Sequence, residues 1–149
     1  MPQSRNLFEH IAENLPQDQS NMRLWLSLLG CFTSVERTIR KRLLKECNAT
    51  LPRFDALNAL ANFPKGLTMG ELAALLMVSN GNVTGVIKRL NEAGLVKQFT
   101  PERDRRSQVV RLTKKGRDAW EEMQTEYAAA IDALFRELSP GDIERLRKI

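Results

Sequence analysis

Histidine occurs once in this chain, at His10, and cysteine twice, at Cys31 and Cys47. One histidine, with no metal-ligand spacing and no nucleophile–base pairing around it, argues against a metal site and against catalysis. The segment "GNVTG" lacks the Gly-Lys-Ser/Thr of a phosphate loop. An enzyme is therefore not expected, and neither a metal nor a cofactor is called for. Two cysteines are too few for a disulfide framework. If both lie on one helix they stand roughly 24 Å apart, beyond the reach of a bridge. They are expected to be buried, inert thiols. A peroxide-sensing role for Cys31 is the alternative, although no basic residue adjoins it to lower its pKa. Long apolar runs are missing too: "LWLSLLGCF", Leu24 to Phe32, is far too short to span a bilayer. The opening "MPQSRNLFEHIAENLPQ" is polar and mixed in charge, unlike a secretory signal. A cytoplasmic protein with no membrane partner is expected.

Charge is present in quantity and unevenly placed. Of the 149 residues 28% are charged and 42% hydrophobic, which suits one globular domain and excludes disorder. Between Gly85 and Arg117 there are ten Lys and Arg against three acids, a surplus of seven where the whole chain has a net charge of +5, so the remainder carries −2. A cationic segment on a slightly acidic chain points to a polyanionic partner, with nucleic acid first.

From about Asn21 to Glu46 the residues Leu24, Leu28, Phe32, Val35, Ile39 and Leu43 recur at three- and four-residue spacing, predicting a long amphipathic helix. Pro52 suits the first turn of the next helix, with Phe54, Leu57, Leu60 and Ala61 on one stripe. In "LTMGEL", Thr68 and Glu71 form a capping box. The helix they start runs to about Met77, and Ser79 caps another almost at once. Two short helices so closely joined predict a helix-turn-helix. Gly94 supplies a left-handed stop. Leu95 to Phe99 and Gln108 to Leu112 then read as strands around the charged loop "TPERDRRS". Thr113 caps a long helix striped with Trp120, Met123, Tyr127, Ile131, Leu134 and Leu138, and Ser139 with Pro140 opens a last short one. The fold expected is mainly α with a small β-hairpin wing: a winged helix-turn-helix with long N- and C-terminal dimerisation helices.

The second short helix, within "SNGNVTGVIKRLNEAGL", carries glycines at 81 and 85 on one face. Each costs about 1 kcal/mol relative to alanine in a helix interior. On a helical wheel Val83, Val86, Ile87 and Leu90 face the core, and Gly81, Gly85, Lys88 and Glu92 lie opposite. The N-terminal end of such a helix enters the major groove. Bare glycine there lets the backbone approach, so that Asn80, Asn82 and Thr84 reach base edges. Ser79 and the first-turn amides suit a phosphate, as do Lys88 and Arg89. Packing of Gly81 or Gly85 against another protein element is the alternative explanation. Arg103, Arg105 and Arg106, at the hairpin tip, are expected over the adjacent minor groove, where the potential favours arginine, with Asp104 pinning a neighbouring guanidinium.

The stretch "LTMGELAALLMVSNGNVTGVIKRLNEAGLVKQFTPERDRRSQVVRLTKKG" resembles the MarR family (multiple antibiotic resistance regulators). Its pattern D-x-R-x-x-x-V-x-L-T-x-x-G is met by Asp104, Arg106, Val110, Leu112, Thr113 and Gly116. The resemblance implies a homodimer that binds a pseudopalindromic operator in double-stranded DNA and usually represses. It implies further that Arg106 is the minor-groove arginine and Asp104 its orienting partner. The family often has a larger polar or basic side chain where this chain has Gly85. Dimerisation also follows from the residues: Leu7, Phe8, Ile11 and Leu15, with the C-terminal stripes, exceed what a small winged core can cover. The organisation expected is 1–47 and 113–149 as dimerisation helices around a DNA-binding region at 51–112, all in one compact subunit.

The resemblance also implies a small-molecule effector between the dimerisation helices and the DNA-binding head. Trp25, Phe32, Phe54 and Leu57 are its candidate lining residues, though such residues are more often plain core than pocket. In "ERTIRKRLLKE", Arg37, Arg40, Lys41, Arg42 and Lys45 form either a solvated face or a grip on a phosphate-bearing ligand, with Arg37, Arg40 and Lys41 the candidates for that grip. "LPRFDALNAL" and "GNVTG" look similar to a branch controlling aromatic-acid catabolism, so the effector expected is an aromatic acid or its acyl-CoA thioester. A winged-helix module that binds protein in place of duplex DNA is the remaining alternative.

Overall fold

The computed structural model describes residues 6–16, 18–100 and 108–149. Its elements in order are α1 (Leu7–Glu13), α2 (Ser20–Cys47), α3 (Leu51–Asn62), β1 (Leu67–Thr68), α4 (Met69–Leu76), α5 (Asn80–Glu92), β2 (Val96–Phe99), β3 (Val109–Leu112), α6 (Lys114–Phe135) and α7 (Pro140–Lys148). The bounds of α2, α4, α5, β2 and β3 agree with the sequence reading to within a residue or two, whereas α6 ends at Phe135, before the Leu138 expected on its stripe. No helix among the described residues is long and apolar enough to cross a membrane. Two compact units are present: Met1–Lys41 with Ala130–Ile149, and Arg42–Ala129.

In the first unit α1 begins with a capping box. The Asn6 side chain accepts from the Glu9 amide at 2.9 Å, and the Glu9 carboxylate accepts from the Asn6 amide. Asn6 is itself buried, and its Nδ2 donates to the Gly30 carbonyl of α2 at 2.7 Å and to the Ser34 hydroxyl at 3.2 Å. Few apolar side chains of this unit are covered: Ala12, Ile39 and Ala130 are buried, while Leu7, Leu24, Trp25, Leu28, Phe32 and Leu146 are exposed. Half of the stripe that makes α2 amphipathic thus meets solvent in a single protomer.

The second unit holds the larger core, centred on Leu57, Leu60, Leu72, Ile87, Leu90 and Val110. Phe54 stacks on Tyr127 with ring centroids 4.7 Å apart, and the Trp120 indole donates to Asn58 Oδ1 at 3.2 Å. Thr68 and Glu71 form the expected capping box of α4, and Ser79 accepts from the Asn82 amide at the start of α5. Gly94 has φ +71°, the left-handed stop read from sequence. Thr113 caps α6 by accepting from the Gly116 amide at 3.0 Å.

Four other features depart from the sequence reading. The wing is a three-stranded antiparallel sheet ordered β1-β3-β2, with Leu67 opposite Val110 and Thr68 opposite Val109, where a two-stranded hairpin was expected. Two-residue β1 exists only by pairing with β3, so no local periodicity announces it. Met77 ends α4 in the left-handed region at φ 52°, a conformation that bulky side chains rarely adopt. Cys31 is exposed, not buried, because its part of α2 belongs to the thinly covered unit. Cys47 is half-buried, and burial, followed by the carboxylates of Glu122, Glu126 and Glu46, pushes its thiol up, which suits an inert group.

Candidate nucleic-acid interface

The core side of α5 is fixed by Val83, Ile87 and Leu90, all at most 2% exposed. With a helical repeat of about 3.6 residues, that burial turns the opposite face to solvent. Ser79, Asn80, Gly81, Asn82, Thr84, Lys88 and Arg89 are all exposed, and Gly85 is half-exposed. A β-carbon on Gly81 would meet nothing within 4 Å, and one on Gly85 only the Arg89 guanidinium, at 3.9 Å. Among the described residues, then, neither glycine is there to admit a neighbouring element. The close-packing explanation fails, and the open face remains.

This face is held by tight local chemistry. The Glu71 side chain accepts from the Thr68 amide at 2.7 Å and from its hydroxyl at 2.8 Å, fixing the start of α4. The Thr68 amide, then its hydroxyl, holds the Glu71 carboxyl below the usual carboxylate range. Between α4 and α5 the turn consists of Met77, Val78 and Ser79, with the Met77 amide donating back to Ala74. The first turn of α5 therefore presents its amides beside Asn80, Gly81 and Asn82, where an anion is favoured. Thr84 donates its hydroxyl to the Asn80 carbonyl at 2.8 Å, which leaves its methyl and lone pairs for a ligand.

Among the described residues, two of the cations counted for a polyanion have work inside the protein. Arg111 donates from Nε to the Lys65 carbonyl at 2.7 Å, and its guanidinium lies 4.0 Å from the centre of the Phe99 ring. It ties the base of the wing to the loop before β1. Lys115 donates to the Ala93 carbonyl at 2.9 Å, closing the C-terminal end of α5, where a cation is favoured. Arg103, Asp104, Arg105 and Arg106 lie outside the described residues.

The candidate effector residues fall in different units. Trp25 and Phe32 are exposed on α2, as are Arg37, Arg40 and Lys41, with Arg40 paired to Glu36. Phe54 and Leu57 are core residues of the other unit, 2% and 0% exposed. Sequence reasoning passed over Arg53. Its one signal was a position at the start of α3, three residues from the cap at Thr50.

A helix-turn-helix with an open, cationic second helix and a β-sheet wing defines a winged-helix transcriptional regulator. Comparison with known proteins agrees. A sequence model described as MarR family matches residues 49–107. BadR, a transcriptional activatory protein of Rhodopseudomonas palustris, is 34% identical over 124 residues, covering 81% of this chain and 70% of BadR. The chain belongs to the MarR family, whose members regulate transcription, and it is not an enzyme. Among solved structures, Sco3205 of Streptomyces coelicolor in complex with DNA superposes with a TM-score of 0.78 at 21% identity, over 90% of this chain and 87% of that one. CouR of Rhodococcus jostii RHA1 bound to p-coumaroyl-CoA gives 0.73 at 20% identity, over 91% of both. At these identities the likeness is one of fold.

Proposed function

We propose that this protein binds a pseudopalindromic operator as a homodimer and is released by a small aromatic acid or its CoA thioester. The observation that carries the DNA reading is the bare outer face at the start of α5. There Gly81 meets nothing within 4 Å and exposed Asn80, Asn82 and Thr84 flank it. Asparagine pairs bidentately with adenine and threonine meets a thymine methyl, while Ser79, Lys88 and Arg89 take phosphates. Arg103, Arg105 and Arg106 enter the neighbouring minor groove, with Asp104 orienting one of them. The solved complex of Sco3205 with DNA, on the same fold, supports this reading.

Dimerisation is supported by the exposed apolar side chains of the first unit, among them Leu7, Ile11, Phe135, Ile143 and Leu146. Residues 1–47 and 113–149 would supply the dimer contacts and 51–112 the DNA contacts. CouR with its bound p-coumaroyl-CoA, and the similarity to BadR, support an aromatic effector. Trp25 and Phe32, exposed on α2, would meet its ring, and Arg37, Arg40 and Lys41 any phosphates, whereas Phe54 and Leu57 are closed core residues and would not line it. The operator-bound dimer is proposed to repress by covering promoter DNA. Activation is the second reading, favoured by BadR's being an activatory protein.

Titration of a duplex carrying the protein's own upstream region tests the reading. Affinity should fall by several decades from low to moderate salt if six or more phosphates are neutralised, and an aromatic acid or its CoA thioester should release the complex. Salt-insensitive binding would favour a protein partner. A promoter–reporter pair with and without the regulator separates repression from activation.

A further inference from the structure

Where the start of α3 meets the second half of α5, Thr50, Arg53, Val86, Arg89 and Leu90 line a recess of about 170 Å³. No carboxylate is among these lining residues. The Nε of Arg53 is buried and finds no hydrogen-bond partner among the described residues, a costly state for a cationic donor that native proteins ordinarily relieve. Thr50 stands at the N-cap of α3 in extended conformation, yet its side chain makes no capping bond. Arg89, four residues after Gly85, is exposed, and its guanidinium lies against the outward face of α5. Two arginines and a threonine without a capping bond thus line one small space backed by Val86 and Leu90. Pockets that take organic ligands run to about 300–1,000 Å³, so this one suits a single small group.

We propose that the recess seats one phosphate group, its oxygens accepting from the Arg53 and Arg89 guanidinium groups and the Thr50 hydroxyl. Arginine matches a phosphate bidentately and stays charged when half-buried. The phosphate has two sources, the backbone of a bound duplex or a free phosphate-bearing molecule. The first rests on the DNA reading above, and the position of Arg89 on the outward side of α5 favours it.

The full-length protein, Arg53→Met and Arg89→Gln are compared in two measurements. The first is duplex affinity against salt, on specific and unrelated sequences. The second is thermal midpoint in inorganic phosphate against chloride at matched ionic strength. Phosphate should raise the midpoint of the wild type and of neither variant. A backbone source also lowers the slope of log affinity against log salt by about one per arginine, equally on both sequences. A free phosphate source leaves that slope unchanged while the midpoint shift still depends on Arg53. If both variants match the wild type in slope and in midpoint shift, the seat does not exist. Arg89 is exposed, so its variant keeps the test intact should Arg53→Met fold poorly. A wild type that binds no duplex would sink the DNA reading, and the phosphate measurement would still decide the seat.

Discussion

A β-carbon on Gly116 would stand 1.9 Å from the carbonyl oxygen of Leu95. The first turn of α6 rests directly on the backbone entering β2, and Thr113 fastens the same junction by donating to the Gly94 carbonyl at 2.8 Å. Because the opposing atoms are backbone, they cannot move aside as a flexible side chain could. Gly116→Ala should destabilise the fold by about 3 kcal/mol or more, near the upper end for overpacking. Chemical denaturation checks this, and a loss under about 1 kcal/mol would mean that α6 slides freely on the wing.

Gly81 is the opposite case, a glycine with open space around it. Gly81→Ala should raise stability by about 0.5–1 kcal/mol, because alanine costs less backbone entropy in a helix. The same methyl group should weaken duplex binding if the backbone approaches the bases as proposed. Stability and affinity moving in opposite directions is the expected result. An unchanged affinity would place base reading elsewhere on the chain.

Arg106→Ala should lower operator affinity by about 1–3 kcal/mol with the protein still folded. Binding titrations together with the unfolding midpoint check it. An affinity equal to that of the wild type would refute the role given to the wing tip.

Glu71 makes part of the stability pH-dependent. Its native carboxyl titrates below the usual range because the Thr68 amide, then the Thr68 hydroxyl, favours the charged form. The cap therefore contributes fully above the unfolded-state carboxylate pKa and is lost as the pH falls through the lower native value. Glu71→Gln can still accept from the Thr68 amide but cannot titrate. Unfolding midpoints taken from neutral to acid pH should fall more steeply for the wild type than for the variant. Parallel curves would show that the box carries no charge-dependent stability.

Much of this was legible because helix starts and stops are local chemistry. Thr68 with Glu71, Ser79, Thr113 and Ser139 each satisfy an amide within three residues, and Gly94 needs only its own backbone freedom. The open face of α5 followed from periodicity alone. What escaped was settled at long range. β1 depends on β3, more than forty residues away in sequence. Arg111 and Lys115 looked like free cations because the carbonyls they bind, on Lys65 and Ala93, lie on other elements. Met77 gave no signal, since methionine has no preference for the left-handed region it occupies. Arg53 drew no notice because an orphaned Nε is a fact of packing.

The buried Asn6 has a consequence of its own. An apolar seam tolerates slippage by a turn, since one leucine replaces another at little cost. A directional bond from Asn6 Nδ2 to the Gly30 carbonyl is satisfied at a single setting, and Gly30 has no side chain to obstruct it. Between the first helix and α2, this amide works as an index pin. Losing the pin would leave that helix without a unique address.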